Sequence, residues 1–269
     1  MADLGRIRVG IGGWSYEPWR ETFYPDSLPQ HRELHYASRQ LSAIEINSTF
    51  YRAPPGEIFA RWRDETPEDF VFSVKAPRYC THRKVLAEAL ETSARFLEAA
   101  AHLGDKLGPV VWQLPPTHRF DADDLDRFLQ ALPREAGPRS LRHVVEARHD
   151  SFLVAEFPAL LRQHRAASVY TDSDKYPSFA DLGGDFVYAR LMNSQPDLPT
   201  GYPDDELDDW SERARRWAAG GEPAELPRIV DAPAEPRARD VFIYFINGAK
   251  ENAPQAAGAL LWRLEQHPH

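Results

Sequence analysis

Short runs of β-branched and aromatic residues recur along the chain, and each run is closed by a polar residue and followed by a helical pattern. This alternation is typical of βα units whose parallel strands are buried on both faces. Eight such runs predict strands at residues 6–12, 43–47, 70–75, 109–114, 142–147, 167–172, 186–191 and 241–246. Eight parallel strands are the number that closes a (β/α)8 barrel.

Between the strands, apolar residues recur with the period of a helix that lays one stripe against a sheet. They predict helices at residues 33–41, 56–65, 86–103, 122–132, 153–164, 205–219 and 254–266. The stretch 173–185 is too short and too broken for a full helix, so the sixth βα connection is the least regular. We therefore predict an α/β fold, a single (β/α)8 TIM barrel with eight parallel strands. A doubly wound open sheet is the alternative.

The chain length of 269 residues suits one barrel of this kind, which needs about 250 residues. We predict one domain over residues 1–269. Residues 220–240 carry two glycines and four prolines among acidic residues. Because proline and glycine interrupt regular structure, we expect an irregular loop before the last strand rather than a second domain.

Composition narrows the function classes. Apolar residues make up 42% of the chain and charged residues 27%, as in proteins that fold unaided. The net charge of −9 disfavours non-specific coating of DNA but leaves room for a local basic cleft. The single cysteine, Cys80, excludes an internal disulfide and a cysteine-based zinc site, and fits a reducing compartment. Residues 1–6 lack the apolar core of a signal peptide, and no run approaches the ~20 apolar residues that cross a bilayer, so we expect a cytoplasmic protein without membrane contact.

Polar side chains end almost every predicted strand, and they are Glu45, Asn47, Lys75, Gln113, Glu146, Arg148, Asp172, Arg190 and Asn247. In a (β/α)8 barrel the loops that follow the strands surround the active site, so we expect these residues at one mouth. Side chains two positions apart share a face, so Glu146 and Arg148 can point together into that mouth. Because a lone buried charge is costly, the three acids should be paired with the two arginines and the lysine. The alternative is a network that only satisfies itself.

The loop after the first strand, residues 12–19, is rich in glycine and aromatic residues. Glycine lets the backbone approach a ligand closely and rings form a wall, so Trp14 and Tyr16 are candidate ligand contacts. A structural lid over the core is the equal alternative. Tyr51 after the second strand, and Tyr79 with His82 after the third, add rings and a group that titrates near neutral pH. These loops predict a pocket with stacking surfaces and positive charge.

Several motifs follow one another in a fixed order over nearly the whole chain: Ile11-Gly12-Gly13-Trp14-Ser15-Tyr16, Glu45-Ile46-Asn47-Ser48-Thr49-Phe50-Tyr51, Lys75-Ala76-Pro77-Arg78 with Thr81-His82, Gln113-Leu114-Pro115-Pro116, Val145-Glu146-Ala147-Arg148-His149, Asp172, Tyr188-Ala189-Arg190-Leu191 and Tyr244-Phe245-Ile246-Asn247. Together they resemble those of the YecE-like family, bacterial and archaeal proteins of unknown function. The resemblance implies a TIM barrel with these residues at its C-terminal mouth, and it implies no reaction. The chain departs from the family pattern at Met192-Asn193, where His-Gly is usual, and at Ile246, where asparagine is frequent. If that histidine is essential in the family, activity here is lost or altered.

The first functional hypothesis is an enzyme that hydrolyses, or transfers a group from, an anionic and phosphate-bearing substrate. Arginine forks match phosphate oxygens, and a strand-end carboxylate would act as the base. The candidate catalytic residues are Glu45, Glu146, Asp172 and His82, with His149 as a second proton shuttle. The candidate substrate-binding residues are Trp14, Tyr16, Asn47, Tyr51, Lys75, Gln113, Arg148, Arg190 and Asn247.

The cofactor is unknown. A divalent metal on Glu45, Glu146, Asp172 and His149 is possible but not favoured, because basic residues compete for the acids. The sequence contains no dinucleotide-binding glycine motif, no P-loop, no nucleophile elbow and no His-Glu-x-x-His. Flavin and pyridoxal phosphate stay open because barrels bind phosphates without a linear motif, although Lys75 as a Schiff-base lysine is a remote option.

The second hypothesis is a non-catalytic protein that binds a nucleotide or a short single-stranded nucleic acid. Aromatic side chains would stack on the bases, and the candidates are Trp14, Tyr16, Trp19 and Tyr51. The salt dependence of binding separates a nucleic acid from a small ligand. The oligomeric state is not predicted, since an exposed apolar helix face resembles a core-facing one in the sequence.

Overall fold

Eight parallel strands close into a barrel in the computed structural model, which describes residues 4–266. The strands are β1 (Ile7–Gly12), β2 (Ala43–Ile46), β3 (Val71–Lys75), β4 (Leu107–Gln113), β5 (His143–Glu146), β6 (Ala167–Asp172), β7 (Phe186–Leu191) and β8 (Asp240–Phe245). Neighbours follow chain order, and β8 pairs with β1 in parallel, with Ile7 opposite Val241. The predicted barrel is confirmed. The alternative of an open sheet is wrong, because the β1–β8 ladder leaves no edge.

Helices cover the outside of the barrel and are α1 (Trp19–Thr22), α2 (Glu33–Gln40), α3 (Gly56–Glu65), α4 (Arg78–Thr81), α5 (Leu90–Ala100), α6 (Ala122–Ala131), α7 (Glu156–Gln163), α8 (Asp204–Ala218) and α9 (Ala253–Gln266). The predicted helix 86–103 is shorter than expected, because 3-10 turns at Leu86–Ala89 and Ala101–Lys106 flank α5. Other 3-10 turns lie at Gln30–Arg32, Ser48–Phe50, Asp150–Phe152 and Lys250–Asn252. Residues 173–185 connect β6 to β7 without a helix, as their broken pattern predicts.

The core has two layers. An outer layer lies between strands and helices, where Trp112 of β4 packs against Phe128 of α6 with ring centroids 5.2 Å apart. An inner layer fills the barrel, where the rings of Tyr188 and Tyr244 lie 5.1 Å apart and the Ser73 and Tyr244 hydroxyls are 2.7 Å apart. Side chains therefore plug the barrel below its mouth, as in other TIM barrels.

Asp121 begins α6 as its N-cap, since its Oδ1 accepts a hydrogen bond from the Asp124 backbone N–H at 3.0 Å. Asp124 in turn reaches across to the segment before α5. Its carboxylate accepts from the backbone N–H of Leu86 at 2.7 Å and of Ala87 at 3.1 Å. These bonds fix the connections that follow β3 and β4 relative to each other.

Two further segments complete the description. A two-stranded hairpin, which the sequence did not predict, pairs Glu135–Ala136 with Arg139–Ser140 between α6 and β5. Residues 221–239 contain turns and bends but neither helix nor strand. Within residues 4–266, no helix is both long enough and apolar enough to cross a membrane.

Candidate active site

A network of buried charges occupies the mouth of the barrel, the end at which the strands finish. Glu146, at the end of β5, lies at its centre and is fully buried. Its Oε2 accepts from Arg190 Nη1 at 2.5 Å and from Gln113 Nε2 at 2.7 Å, and its Oε1 accepts from Arg148 Nε at 2.7 Å. Burial by itself would raise the pKa of Glu146, but the charges of Arg190 and Arg148 outweigh it and lower the pKa to about 2. This carboxylate is therefore ionised at neutral pH.

Arg190 of β7 joins two strands on the far side of the mouth. Besides Glu146, its guanidinium donates from Nη2 to Glu45 Oε1 at 3.0 Å, and Glu45 also accepts from the Tyr188 hydroxyl at 2.6 Å. Burial alone would lower the pKa of Arg190, but the two carboxylates raise it. Two acids and three cations thus meet here, and the predicted pairing holds for Glu45 and Glu146.

Lys75 differs from the other two cations because it has no partner. Its side chain is almost completely buried at the end of β3, and its Nζ lies 4.1 Å from the centroid of the Phe50 ring. Within residues 4–266, no acceptor makes a hydrogen bond with this Nζ. Burial, followed by the charge of Arg190, lowers the pKa of Lys75 to about 8. With this pKa, the amine of Lys75 can gain and lose a proton close to neutral pH.

The loop after β2 holds the Phe50 ring over Lys75. The buried Thr49 hydroxyl shares its one hydrogen between two backbone carbonyls, those of Lys75 at 2.6 Å and of Ile46 at 2.9 Å. The Phe50 ring also meets the ring of His82, with centroids 5.3 Å apart. Burial and the charge of Lys75 lower the pKa of His82, which lies exposed at the rim. His82 is therefore neutral at physiological pH and accessible from the mouth.

Asp172 does not join the charge network. The inner face of β6 carries Val169 and Thr171, whereas Tyr170 packs outward against Trp210 of α8 with ring centroids 5.7 Å apart. Since side chains two apart share a face, Asp172 follows Tyr170 to the outside. Burial, followed by the charge of Glu206, raises the pKa of Asp172 to about 6. The expected pairing of Asp172 with the mouth cations is therefore wrong.

The aromatic side chains of the loop after β1 pack mainly against other residues of the protein. The Trp14 ring packs edge-on against Trp62 of α3 at 5.1 Å and Phe72 of β3 at 6.3 Å, in the outer layer of the core. Tyr16 packs against Trp19, and the Lys250 ammonium lies 4.4 Å from the Tyr16 ring centroid. The loop therefore closes the seam between β1 and β8, which favours its interpretation as a lid.

Three other predicted contacts lie around the opening. Asn47 is half-buried beside β1, and a Cβ on Gly12 would lie only 2.6 Å from its Nδ2, so the Asn47 side chain would have to shift if residue 12 carried one. The Tyr51 ring is 71% exposed on the rim. Asn247 is exposed, with its Nδ2 3.9 Å from the sulfur of Met192, which is buried where the family pattern has histidine. The side chain at this position therefore cannot take part in proton transfer as a histidine would.

A cleft beside the mouth, called here the side cleft, has a volume of about 840 Å³. It is lined by His82, Arg83, Lys84, Pro115, Thr117, His118, Arg119, Phe120 and Asp121 from the loops after β3 and β4. Its single acid, Asp121, already caps α6. Within the described part of the chain, Arg83, Lys84 and Arg119 have no ion pair. The side cleft is therefore positively charged, and one of its lining residues, His82, is close enough to Lys75 and Arg148 for their charges to lower its pKa.

Sequence reasoning missed two residues of this region, Tyr176 and Thr171, and it placed Phe50 and Tyr188 at the mouth without predicting their contacts. Tyr188 binds Glu45, and Phe50 covers Lys75. Tyr176 lies under Arg148, whose guanidinium carbon is 4.3 Å from the ring centroid. Thr171 faces the barrel opposite Arg190, and neither its hydroxyl nor Arg190 Nε has a partner among residues 4–266. The alternation along β7 explains the position of Tyr188, since it lies two residues before Arg190 and shares its face.

The four residues weighed as metal ligands are not brought together. Both carboxylates of the mouth are bound by Arg190, Asp172 faces outward, and His149 Nδ1 accepts from the Ser151 backbone N–H at 3.0 Å. Among residues 4–266, no three His, Cys, Asp or Glu side chains are grouped so that they could hold a metal ion.

Comparisons with known proteins agree with the motifs. The chain is 30% identical over 149 residues to the UPF0759 protein YecE of Escherichia coli (strain K12), which covers 54% of this chain and 50% of that protein, so it spans about half of that relative's length. Its structure is similar to a DUF72 family protein of Enterococcus faecalis V583, with a TM-score of 0.70, 18% identity and coverage of 98% of this chain and 97% of that one. A DUF72 family protein of Thermotoga maritima MSB8 gives a TM-score of 0.69, 22% identity and coverage of 97% and 98%. At these identities the two structures show the fold alone. The family model described as "Protein of unknown function DUF72" matches residues 8–269, which confirms the predicted resemblance, and the chain belongs to this family.

Proposed function

We propose that this protein is an enzyme that acts on a small anionic, phosphate-bearing substrate at the mouth of the barrel, by hydrolysis or group transfer. The observation that carries the proposal is the unpartnered ammonium of Lys75. A buried cation without an acceptor is costly, and such groups are retained where a ligand compensates them. With two acids against three cations, the mouth has a net positive charge when all five groups are ionised.

The geometry favours a division of roles in which the two carboxylates hold the arginines in position and the amine of Lys75 takes part in the reaction. Glu146 holds Arg148 and Arg190 in place, and its pKa of about 2 makes it a weak base. Glu45 is occupied by Arg190 and Tyr188. Lys75, with a pKa of about 8, can take up a proton from a nucleophile as the neutral amine, or give one to a leaving group as the ammonium, near neutral pH. Arg148, which is partly exposed, would hold the phosphate oxygens.

The side cleft extends this site. Its three unpaired cations continue the positive charge of Lys75 and Arg148 past His82, on a chain whose net charge is −9. A concentration of cations against the sign of the whole molecule attracts anions to that place. We infer that the mouth takes the reacting phosphate group and that the side cleft takes a second anionic part of the same substrate.

The test is a turnover screen of phosphate monoesters, phosphodiesters and phosphorylated metabolites, with product detected by chromatography and released phosphate by colorimetry. For any substrate found, kcat/KM of the wild type should rise with pH and level off above about 8, because the neutral amine is the base. Lys75→Arg should lose this inflection together with at least a hundredfold of kcat/KM, since general-base catalysis contributes about 10²–10⁴-fold. Arg95→Lys, at an exposed arginine outside the mouth and the side cleft, is the control and should keep both the inflection and kcat.

A second candidate is a protein that binds a nucleotide or a short single-stranded nucleic acid without turnover. The exposed rings of Tyr51 (71%) and Tyr79 (42%), near His82, favour it. It would be supported if phosphate compounds bind with a stoichiometry of one but none is converted, and if Tyr51→Ala weakens an oligonucleotide more than tenfold. A steep fall of affinity with salt would assign the ligand as nucleic acid.

A further inference from the structure

The opposite end of the barrel, where the strands begin, contains a second cationic cavity. Its volume is about 600 Å³, within the range of small-molecule sites, about 300–1,000 Å³. The lining includes six arginines, namely Arg6, Arg8, Arg134, Arg139, Arg142 and Arg165. Four carboxylates line it as well, so arginine is in excess in a chain that is acidic overall. Composition alone therefore does not explain this cavity.

Half of these arginines are used by the fold. Arg142 pairs with Asp240 at 2.7 Å, Arg139 pairs with Asp105, and Arg134 donates to the backbone carbonyl of His164. These contacts hold the cavity wall in place. The other three arginines take no part in these contacts and could bind a ligand.

Arg6, Arg8 and Arg165 have no ion pair within residues 4–266. Arg8 lies on the inner face of β1, opposite Phe242 of β8, and so projects into the lower end of the barrel. It is only partly exposed there, and burial lowers its pKa. The charges of Asp69 and Asp240 offset part of this effect, but neither carboxylate forms an ion pair with Arg8, so its N–H groups are left for a ligand.

Arg165 supplies a second, independent observation. It is the only residue other than glycine with a positive φ in the described chain, at +53°. It follows α7 where the Ala166 backbone N–H donates to the Leu161 carbonyl at 2.9 Å, a helix ending that favours glycine at position 165. An arginine at this position is less favourable for the folded backbone than glycine, and functional sites commonly retain costs of this kind. It lines both the cavity of about 600 Å³ and a neighbouring one of about 330 Å³.

We propose that this end of the barrel binds a polyphosphate group, with Arg6, Arg8 and Arg165 as its contacts. Planar guanidinium forks match phosphate oxygens in pairs, and three of them suit several linked phosphates rather than one. The polyphosphate can be an inorganic chain or the triphosphate of a nucleotide. Tyr188, Tyr244 and Ser73 fill the barrel between the two ends, so this site is separate from the mouth.

The experiment measures binding of tripolyphosphate, orthophosphate and ATP to the full chain by calorimetry, together with the melting temperature. Arg165→Gly should weaken tripolyphosphate binding at least tenfold and raise the melting temperature, because glycine adopts the +53° backbone more readily. Arg8→Gln should weaken binding similarly. Arg95→Gln, at an exposed arginine paired with Glu91, should change neither.

The outcomes separate this site from the mouth. Lys75→Met should leave tripolyphosphate binding at the lower end intact, even if it removes a second binding event at the mouth. ATP binding more tightly than tripolyphosphate would support the proposal and identify a nucleotide, and the reverse order would identify an inorganic chain. The proposal is overturned if Arg165→Gly binds tripolyphosphate as tightly as the wild type, or if it loses binding and melts at a lower temperature. Orthophosphate binding as tightly as tripolyphosphate would also overturn it.

Discussion

Replacing Lys75 with methionine should stabilise the fold at neutral pH while it removes the reactive amine. The pKa of this lysine falls from 10.5 to about 8 on folding. At about 1.4 kcal/mol for each pH unit, the buried charge costs about 3 kcal/mol of unfolding free energy. Methionine keeps the length of the side chain without the charge, and its sulfur can contact the Phe50 ring.

The stability difference between Lys75→Met and the wild type should depend on pH. Between pH 8 and pH 10.5 the unfolded chain still binds the Lys75 proton while the folded chain has released it. The stability of the wild type, considered for this group alone, therefore rises with pH over that window. The advantage of Lys75→Met should be greatest below pH 8 and should vanish above 10.5.

Urea denaturation of both proteins at pH 7, 8, 9 and 10 measures the difference, and titrations that the two share cancel. Lys106→Met is the matched control. Lys106 is similarly buried, but its Nζ donates to the Thr66 carbonyl at 2.7 Å and to the Thr66 hydroxyl at 3.1 Å. Its loss leaves those acceptors unpaired and should destabilise the protein by about 1–3 kcal/mol. A Lys75→Met protein less stable than the wild type at pH 7, or a difference that does not change with pH, would refute the reasoning.

Three further predictions concern single carboxylates. Glu146→Gln removes the charge that pairs with Arg148 and Arg190, so it should lower the unfolding free energy by about 3 kcal/mol in urea titrations. The control Glu91→Gln, in an exposed ion pair, should change it by less than about 1 kcal/mol. Equal effects of the two substitutions would contradict the central role of Glu146. Asp172→Asn removes a carboxylate whose pKa is raised to about 6, so it should stabilise the fold by about 3 kcal/mol at pH 7 and by much less at pH 4, with ligand binding at the mouth unchanged. A loss of binding would place Asp172 in the site after all. Asp124→Ala leaves two backbone N–H groups without an acceptor and should lower the melting temperature, equivalent to about 1–3 kcal/mol, whereas a neutral result would show that water replaces the carboxylate.

The mouth contains both an ion-pair network that stabilises the fold and a buried charge that destabilises it, as is common in functional sites. Glu45, Glu146 and Arg190 compensate one another, while the same two carboxylates offset only part of the cost of burying the Lys75 charge. Active sites commonly retain such costs because a group tuned for reaction is seldom tuned for stability. The same reasoning applies to Arg165, where the cost lies in the backbone rather than in desolvation.

The amino-acid sequence by itself determined the strands, most of the helices and which residues end the strands. Buried parallel strands need β-branched and aromatic runs, and the polar residue after each run marks where the strand reaches the mouth. The pairing of Glu146 with Arg148 was equally predictable, because residues two apart on one strand share a face.

Only the tertiary structure decided which face of each strand points into the barrel. In β6 both faces are apolar, so the local pattern does not tell Thr171 from Asp172, and closure of the barrel turned Thr171 inward. The direction of the Trp14 ring was hidden for the same reason, since its partners Trp62 and Phe72 come from other βα units. The isolation of Lys75 was hidden as well, because the contacts that occupy both carboxylates come from strands far apart in the chain.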